Sequence, residues 1–188
     1  IAAPSANKTG RPSPTAAAHV LEDFPRLPVV DGGRTKHGLE STVVSLVGKP
    51  AVLRLGAITL EMLREVIPGI QVKTKPPKEG APASPGQKYT HYAPMMPMIL
   101  FGPRKLADLK RYAQRHKDAV ILCKEQYVRL FPKHVVLNLG KDDEDVARNL
   151  FSMLRINRKG VLLVLGLQKR GIGNAIMDRL EKAATGIV

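Results

Sequence analysis

The sequence is poor in the features that would place it in several common classes. It has one cysteine, Cys123, and a single thiol excludes both an internal disulfide framework and a cysteine-built zinc site. No apolar run approaches the roughly 18 residues that a membrane-spanning helix requires. The longest, Gly160–Leu167, is the length of a buried strand, so no membrane role is expected. Acidic residues are also scarce: 16 stand against 30 lysines and arginines, a formal charge of +14. Such a balance suits either a solvated basic face or a site for nucleic acid, nucleotide or another polyanion. Residues 98–188 carry 18 basic and 9 acidic groups, so most of the excess lies there. With 44% hydrophobic and 24% charged residues among 188, the composition is globular, enough for one medium domain or two small ones.

Composition divides the chain into three zones. Residues 1–73 alternate turn-rich loops with short apolar strands. Residues 74–97 carry Pro76, Pro77, Gly80, Pro82, Pro85, Gly86, Pro94 and Pro97, a linker that excludes helix and central strand. Residues 98–188 alternate strand and helix patterns, the signature of a small α/β domain with a mostly parallel sheet. In the first zone Ser13 and Thr15 offer hydroxyl caps to a short helix, Ala16–Phe24. Strands are predicted at Thr42–Val47 and Ala51–Leu55, around a turn at Gly48-Lys49-Pro50. Thr59 should cap a helix whose apolar stripe is Leu60, Leu63, Val66 and Ile67. In the last zone strands are predicted at Met98–Phe101, Ala119–Cys123, Val135–Leu139 and Val161–Leu165. Helices are predicted at Pro103–His116, Asp142–Arg155 and Asn174–Ala184. The second of these has the cleanest period, with Val146, Ala147, Leu150, Phe151 and Leu154 on one face.

Four segments stand out chemically. Pro4–Thr15 gathers hydroxyls, an amide and free backbone N–H groups before a helix, which suits an anion as well as it suits a plain capped turn. Gly38-Leu39-Glu40-Ser41-Thr42 opens a strand with polar groups fit for a small polar substrate. Arg54, in an otherwise apolar strand, calls for an anionic partner, either a carboxylate or a ligand phosphate. Ser84–Pro94 crowds Lys88, Tyr89, His91 and Tyr92 into a linker, more than a solvated tether needs. Gly171-Ile172-Gly173 lacks a third glycine and follows the last strand, so a tight turn into a helix is the better reading. His19, His37, His116 and His134 have no metal-ligand spacing, and no metal site is expected.

Taken in order, Ala2–Asn7, Arg11–Thr15, Asp31-Gly32-Gly33, Gly38–Val43 and Leu53–Ala57 resemble the second half of the YrdC-like domain of L-threonylcarbamoyladenylate synthase. The Ser-Pro-Gly-x-Lys-Tyr-x-His-Tyr-Ala-Pro linker resembles that of the long, two-domain form. Asn149–Phe151, Leu154-Arg155 and Gly171–Ala184 resemble its C-terminal domain. The resemblance implies an α/β fold: the C-terminal half of a twisted YrdC-like sheet domain (1–73), a Pro/Gly-rich linker folding over the active site (74–97), and a small Rossmann-like domain (98–188). It implies a nucleotidyltransferase that makes threonylcarbamoyl-AMP and pyrophosphate from L-threonine, bicarbonate and ATP, with Mg2+ on the phosphates. The product would pass to downstream threonylcarbamoyl transferase machinery that modifies adenosine 37 of tRNA, in the cytoplasm. By the same resemblance Ala3, Ser5, Asn7, Ser13 and Arg54 would meet the nucleotide, with Tyr89, His91 and Tyr92 closing over it, and Ser41 would meet threonine. A non-catalytic basic module binding nucleotide, tRNA or double-stranded RNA is the alternative. Ile1 is no initiator and the family's first half has no counterpart here, so an upstream segment is expected. Without it the half-sheet should fold poorly and show no synthase activity.

Overall fold

The computed structural model describes residues 3–74 and 92–188. The linker residues 75–91, with Tyr89 and His91, lie outside the described residues. The first sheet is small. β1 (Val43–Ser45) runs antiparallel to β2 (Ala51–Arg54), with a register shift between Val43 and Val44, and β2 pairs in parallel with β3 (Gln71–Val72). Around it lie α1 (Ala17–Asp23) and α2 (Leu60–Val66). Thr59 caps α2 as predicted, its hydroxyl accepting from the Met62 N–H at 3.3 Å. The hydroxyls before α1 do something else. The N-cap is Ala16, without a side-chain bond: the Ser13 hydroxyl donates to Glu40, and the Thr15 hydroxyl lies 3.3 Å from His19 Nδ1.

The second sheet has five strands, all parallel: β4 (Met98–Phe101), β5 (Val120–Cys123), β6 (Val135–Asn138), β7 (Leu162–Leu165) and β8 (Gly186–Ile187), in the order β6-β5-β7-β4-β8. The helices between them are α3 (Leu106–Arg115), α4 (Glu125–Val128), α5 (Asp143–Leu154) and α6 (Gly173–Ala183). Helices on both faces bury β5 and β7 completely, as a parallel sheet demands. Alternate strand residues feed two cores. Met98, Leu100, Leu122 and Val164 pack with Leu150, Phe151 and Leu154 of α5 and Ile176 and Leu180 of α6. Phe101, Ile121, Cys123 and Leu163 pack with Leu109 and Ala113 of α3. The predicted stripe of α5 is the buried one, and burial pushes the Cys123 thiol up to about 11.

The two sheets differ in how well they are filled. No residue of α2 is buried, Val66 is 81% exposed, and Val30 and Val47 are almost bare among the described residues. The predicted stripe of α2 therefore finds little to cover it: three short strands make too small a surface. What anchors the first unit is close contact with the second. Gly38 (φ +67°) sits where an added Cβ would lie 2.4 Å from the Ala147 carbonyl oxygen of α5. Gly10 is also left-handed (φ +85°), but among the described residues nothing lies within 4 Å of its missing Cβ. Gly10→Ala is therefore expected to cost only left-handed strain, about 1–2 kcal/mol. Gly38→Ala should cost clearly more, because backbone must also move, and thermal unfolding of both variants measures the difference.

Candidate functional site

The segment from Ala3 to Ala16 is a folded loop built by its own polar groups. The Asn7 N–H donates to the Ser5 carbonyl at 3.0 Å and the Arg11 N–H to the Lys8 carbonyl at 3.1 Å. The Asn7 side-chain amide donates to the carbonyls of Lys8 and Arg11 at 3.0 and 3.2 Å. Asn7 thus staples the loop, and its buried Oδ1 has no hydrogen-bond partner among the described residues. Ala3 and Ser5 are exposed. Ser13 donates from Oγ to Glu40 Oε1 at 2.8 Å. Ser5, Ser13, Thr15, Gly38, Glu40 and Phe151 are among the residues lining a cleft of about 200 Å³ between the loop and α5.

Ser41 and Arg54 form a second group across the mouth of β1 and β2. Arg54 donates from Nε to the Ser41 carbonyl at 3.0 Å and from Nη2 to Ser41 Oγ at 3.1 Å. Of the two partners expected for this arginine, a carboxylate does not bond it among the described residues; two neutral oxygens of Ser41 do. Tyr92, the first residue described beyond 91, lies deep between the units. Its ring stacks on Phe151 with centroids 5.1 Å apart and lies 5.8 Å from the Arg179 guanidinium carbon. Burial, with the Glu40 charge adding, pushes its phenol up to about 12. Its φ of +65° is rare for a residue with a large side chain. The neighbouring Ala93 N–H donates to the Gly10 carbonyl at 3.1 Å, pinning this end of the linker to the loop.

Sequence reasoning missed the residues that hold the loop in place. Asp23, at the end of α1, is 1% exposed. It accepts from Arg155 Nη2 at 2.9 Å, from the Lys8 N–H at 3.3 Å and from Arg11 Nη1. Arg155 Nη2 also donates to the Pro12 carbonyl at 2.7 Å, and Nη1 to the His19 carbonyl and Glu22 at 3.2 Å. At Glu40, ahead of β1, the arrangement repeats. Glu40 Oε2 accepts from Arg179 Nε at 3.2 Å, Arg179 being wholly buried on α6. Burial works against the Asp23 charge, but the hydrogen bond and charge of Arg155, the Lys8 amide and Arg11 outweigh it and hold the carboxyl below its ordinary range. A signal was present: Arg179 falls three residues after Ile176 and four before Ala183, on the buried stripe, where a charge must find a partner. Asp178, beside it, accepts from Arg179 Nη1 at 2.9 Å.

Comparison with known proteins agrees on one family. The family model described as "Threonylcarbamoyl-AMP synthase, C-terminal domain" matches residues 58–185, and one described as "Telomere recombination" matches residues 1–56. The threonylcarbamoyl-AMP synthase of Pyrococcus abyssi is 39% identical over 98% of this chain and 57% of its own length. That of Bacillus subtilis is 40% identical over 100% and 58%, and that of Schizosaccharomyces pombe 35% over 98% and 52%. The chain thus spans a little over half the length of these relatives. The crystal structure of P. abyssi Sua5 complexed with L-threonine superimposes with a TM-score of 0.83 at 35% identity, covering 98% of this chain and 58% of that one. A variant of that protein, with an adjacent histidine and tyrosine replaced by alanine, gives 0.78 at 32% identity over the same shares of the two chains.

Removing Arg155 would leave Asp23 buried and poorly compensated. Arg155→Met is therefore expected to cost about 3–5 kcal/mol, against under about 1 kcal/mol for Arg148→Met, which breaks an exposed pair with Asp145. Urea unfolding measures both, and equal losses would show that Arg11 and the Lys8 amide suffice for Asp23. The depressed Asp23 value also sets a sign. Its contribution is complete above the ordinary aspartate range and disappears as pH falls through its folded value. Asp23→Asn should flatten that acid limb of the urea midpoint.

Proposed function

Because the chain belongs to the threonylcarbamoyl-AMP synthase family, we propose that it carries part of a site that condenses L-threonine, bicarbonate and ATP into threonylcarbamoyl-AMP and pyrophosphate. The product would serve threonylcarbamoyl modification of adenosine 37 in tRNA, by way of downstream transferase machinery in the cytoplasm. Among the described residues no helix is long and apolar enough to cross a membrane. The observation that carries this reading is the cleft itself: Ser5 and Ser13 share it with Glu40, in a chain whose relatives are named for this reaction.

The chemistry asks little covalent help of the protein. An oxygen of the threonine carbamate attacks the α-phosphorus, the bond to the bridging oxygen breaks, and pyrophosphate leaves with the electron pair. Alignment and charge neutralisation govern the rate of such a step. In this reading Ser5, Asn7 and Ser13, with the Ala3 backbone nearby, line the nucleotide. Arg54 faces its phosphates and Ser41, bonded to Arg54, faces threonine or its carbamate. Tyr92 ends the linker whose Tyr89 and His91 would cover the cleft. Excluding water there would protect a labile carbamate and a mixed anhydride. The carboxylates do not fit a resident metal. Asp23 is taken by two arginines and Glu40 by Ser13 and Arg179, and no cluster of three ligands exists among the described residues. Magnesium is expected to arrive on the phosphates.

Isothermal titration of ATP into the chain, with threonine, bicarbonate and Mg2+ present, tests the proposal. Saturable heat is expected, with affinity reduced about tenfold or more in Arg54→Ala, the scale of a lost charge-assisted hydrogen bond. No heat in the unaltered chain would remove the nucleotide site from it. RNA binding that weakens steeply with salt, without ATP binding, would favour the non-catalytic module.

A further inference from the structure

The five-stranded sheet carries a second crevice that shares no lining residue with the Ser5–Ser13 cleft. From β5 the chain proceeds through α4 to the edge strand β6. From β7 it proceeds through α6 to β8 on the opposite side. α4 packs its Tyr127 and Val128 against one face of the sheet, and α6 packs Ile176 and Leu180 against the other. β5 and β7 are neighbours, so their outgoing connections diverge, and diverging connections leave a crevice beyond the carboxyl ends of parallel strands, where α/β sheets bind ligands. A cavity of about 220 Å³ occupies that place. Lys124, Gln126 and Tyr127, which follow β5, line it together with Gly166 and Gln168, which follow β7, and Asp143 of α5.

The side chains in this crevice are chemically specific. Lys124 Nζ lies 2.5 Å from Asp143 Oδ1. That oxygen is buried and has the Lys124 ammonium as its charge partner. Lys124 and Asp143 remain 23% and 31% exposed, so a solute can reach between them. Gly166 has no room for a side chain, since an added Cβ would come 3.0 Å from the Phe101 carbonyl oxygen and 3.1 Å from Met177.

We propose that this crevice binds a small zwitterion, a free α-amino acid. A guest that parts Lys124 from Asp143 must offer an anion to the first and a cationic donor to the second within a few ångströms, and an α-amino acid is the smallest common molecule with both. Gln126, Gln168 and Tyr127 supply donors and acceptors for a polar side chain. Nothing in this argument depends on the reaction proposed for the first cleft.

The test is a titration of the isotopically labelled full chain, followed by amide NMR, with L-serine, L-glutamine, AMP and inorganic phosphate as probes. An amino acid is expected to shift the amides of residues 124–127 and 165–168 saturably. Asp143→Asn and Lys124→Met should each weaken that response about tenfold or more. Gln168→Ala, at an exposed side chain, serves as a variant that retains the fold. The proposal is overturned if no amino acid shifts those amides saturably, if AMP or phosphate does so instead, or if Asp143→Asn and Lys124→Met respond like the unaltered chain.

Discussion

The first third of the chain depends on one buried ion pair. Asp23 and Arg155 are both shut off from solvent, and each is costly alone. Together they close the circuit that holds Pro12, Lys8 and Arg11, and so the loop with Ser5, Asn7 and Ser13, against the second unit. The first sheet has no buried helix of its own to do this. The loop's geometry is thus dictated from outside, by the last turn of α5 and by Arg179 on α6.

This gives the parallel sheet a purpose beyond its own stability. Its two faces are filled by well-packed apolar residues, with Leu109, Ile121, Leu150 and Ile176 fully inaccessible. Interiors of that density transmit displacement instead of absorbing it. Arginines projecting from such a body are rigid, because their stems are set in packed helices. A carboxylate met by a rigid guanidinium is oriented as well as neutralised. The loop therefore borrows precision from a core to which it contributes nothing.

What could be read from the sequence follows interaction range. The α5 stripe, the Thr59 cap and the strands around Gly48-Lys49-Pro50 arise from neighbours within a few positions, and they stand where periodicity and turn chemistry put them. β3, α4 and β8, of two to four residues, are too short to carry a period. The carboxylate–guanidinium pairs join residues 132 and 139 positions apart, which no local pattern encodes. Ser5, Ser13, Ser41 and Arg54 could be named from the ordered motifs alone. That Glu40 links one of these serines to α6 could not, because Glu40 reads locally as one more polar residue at a strand mouth.

Glu40 also fixes the proton inventory of the cleft. Each of its two oxygens has a donor, Ser13 on one side and Arg179 on the other. A hydroxyl has a single proton to give. While Ser13 gives it to Glu40, the serine can present only lone pairs to a guest. To meet a phosphate oxygen, which has no proton to offer, the serine would first have to turn away from the glutamate.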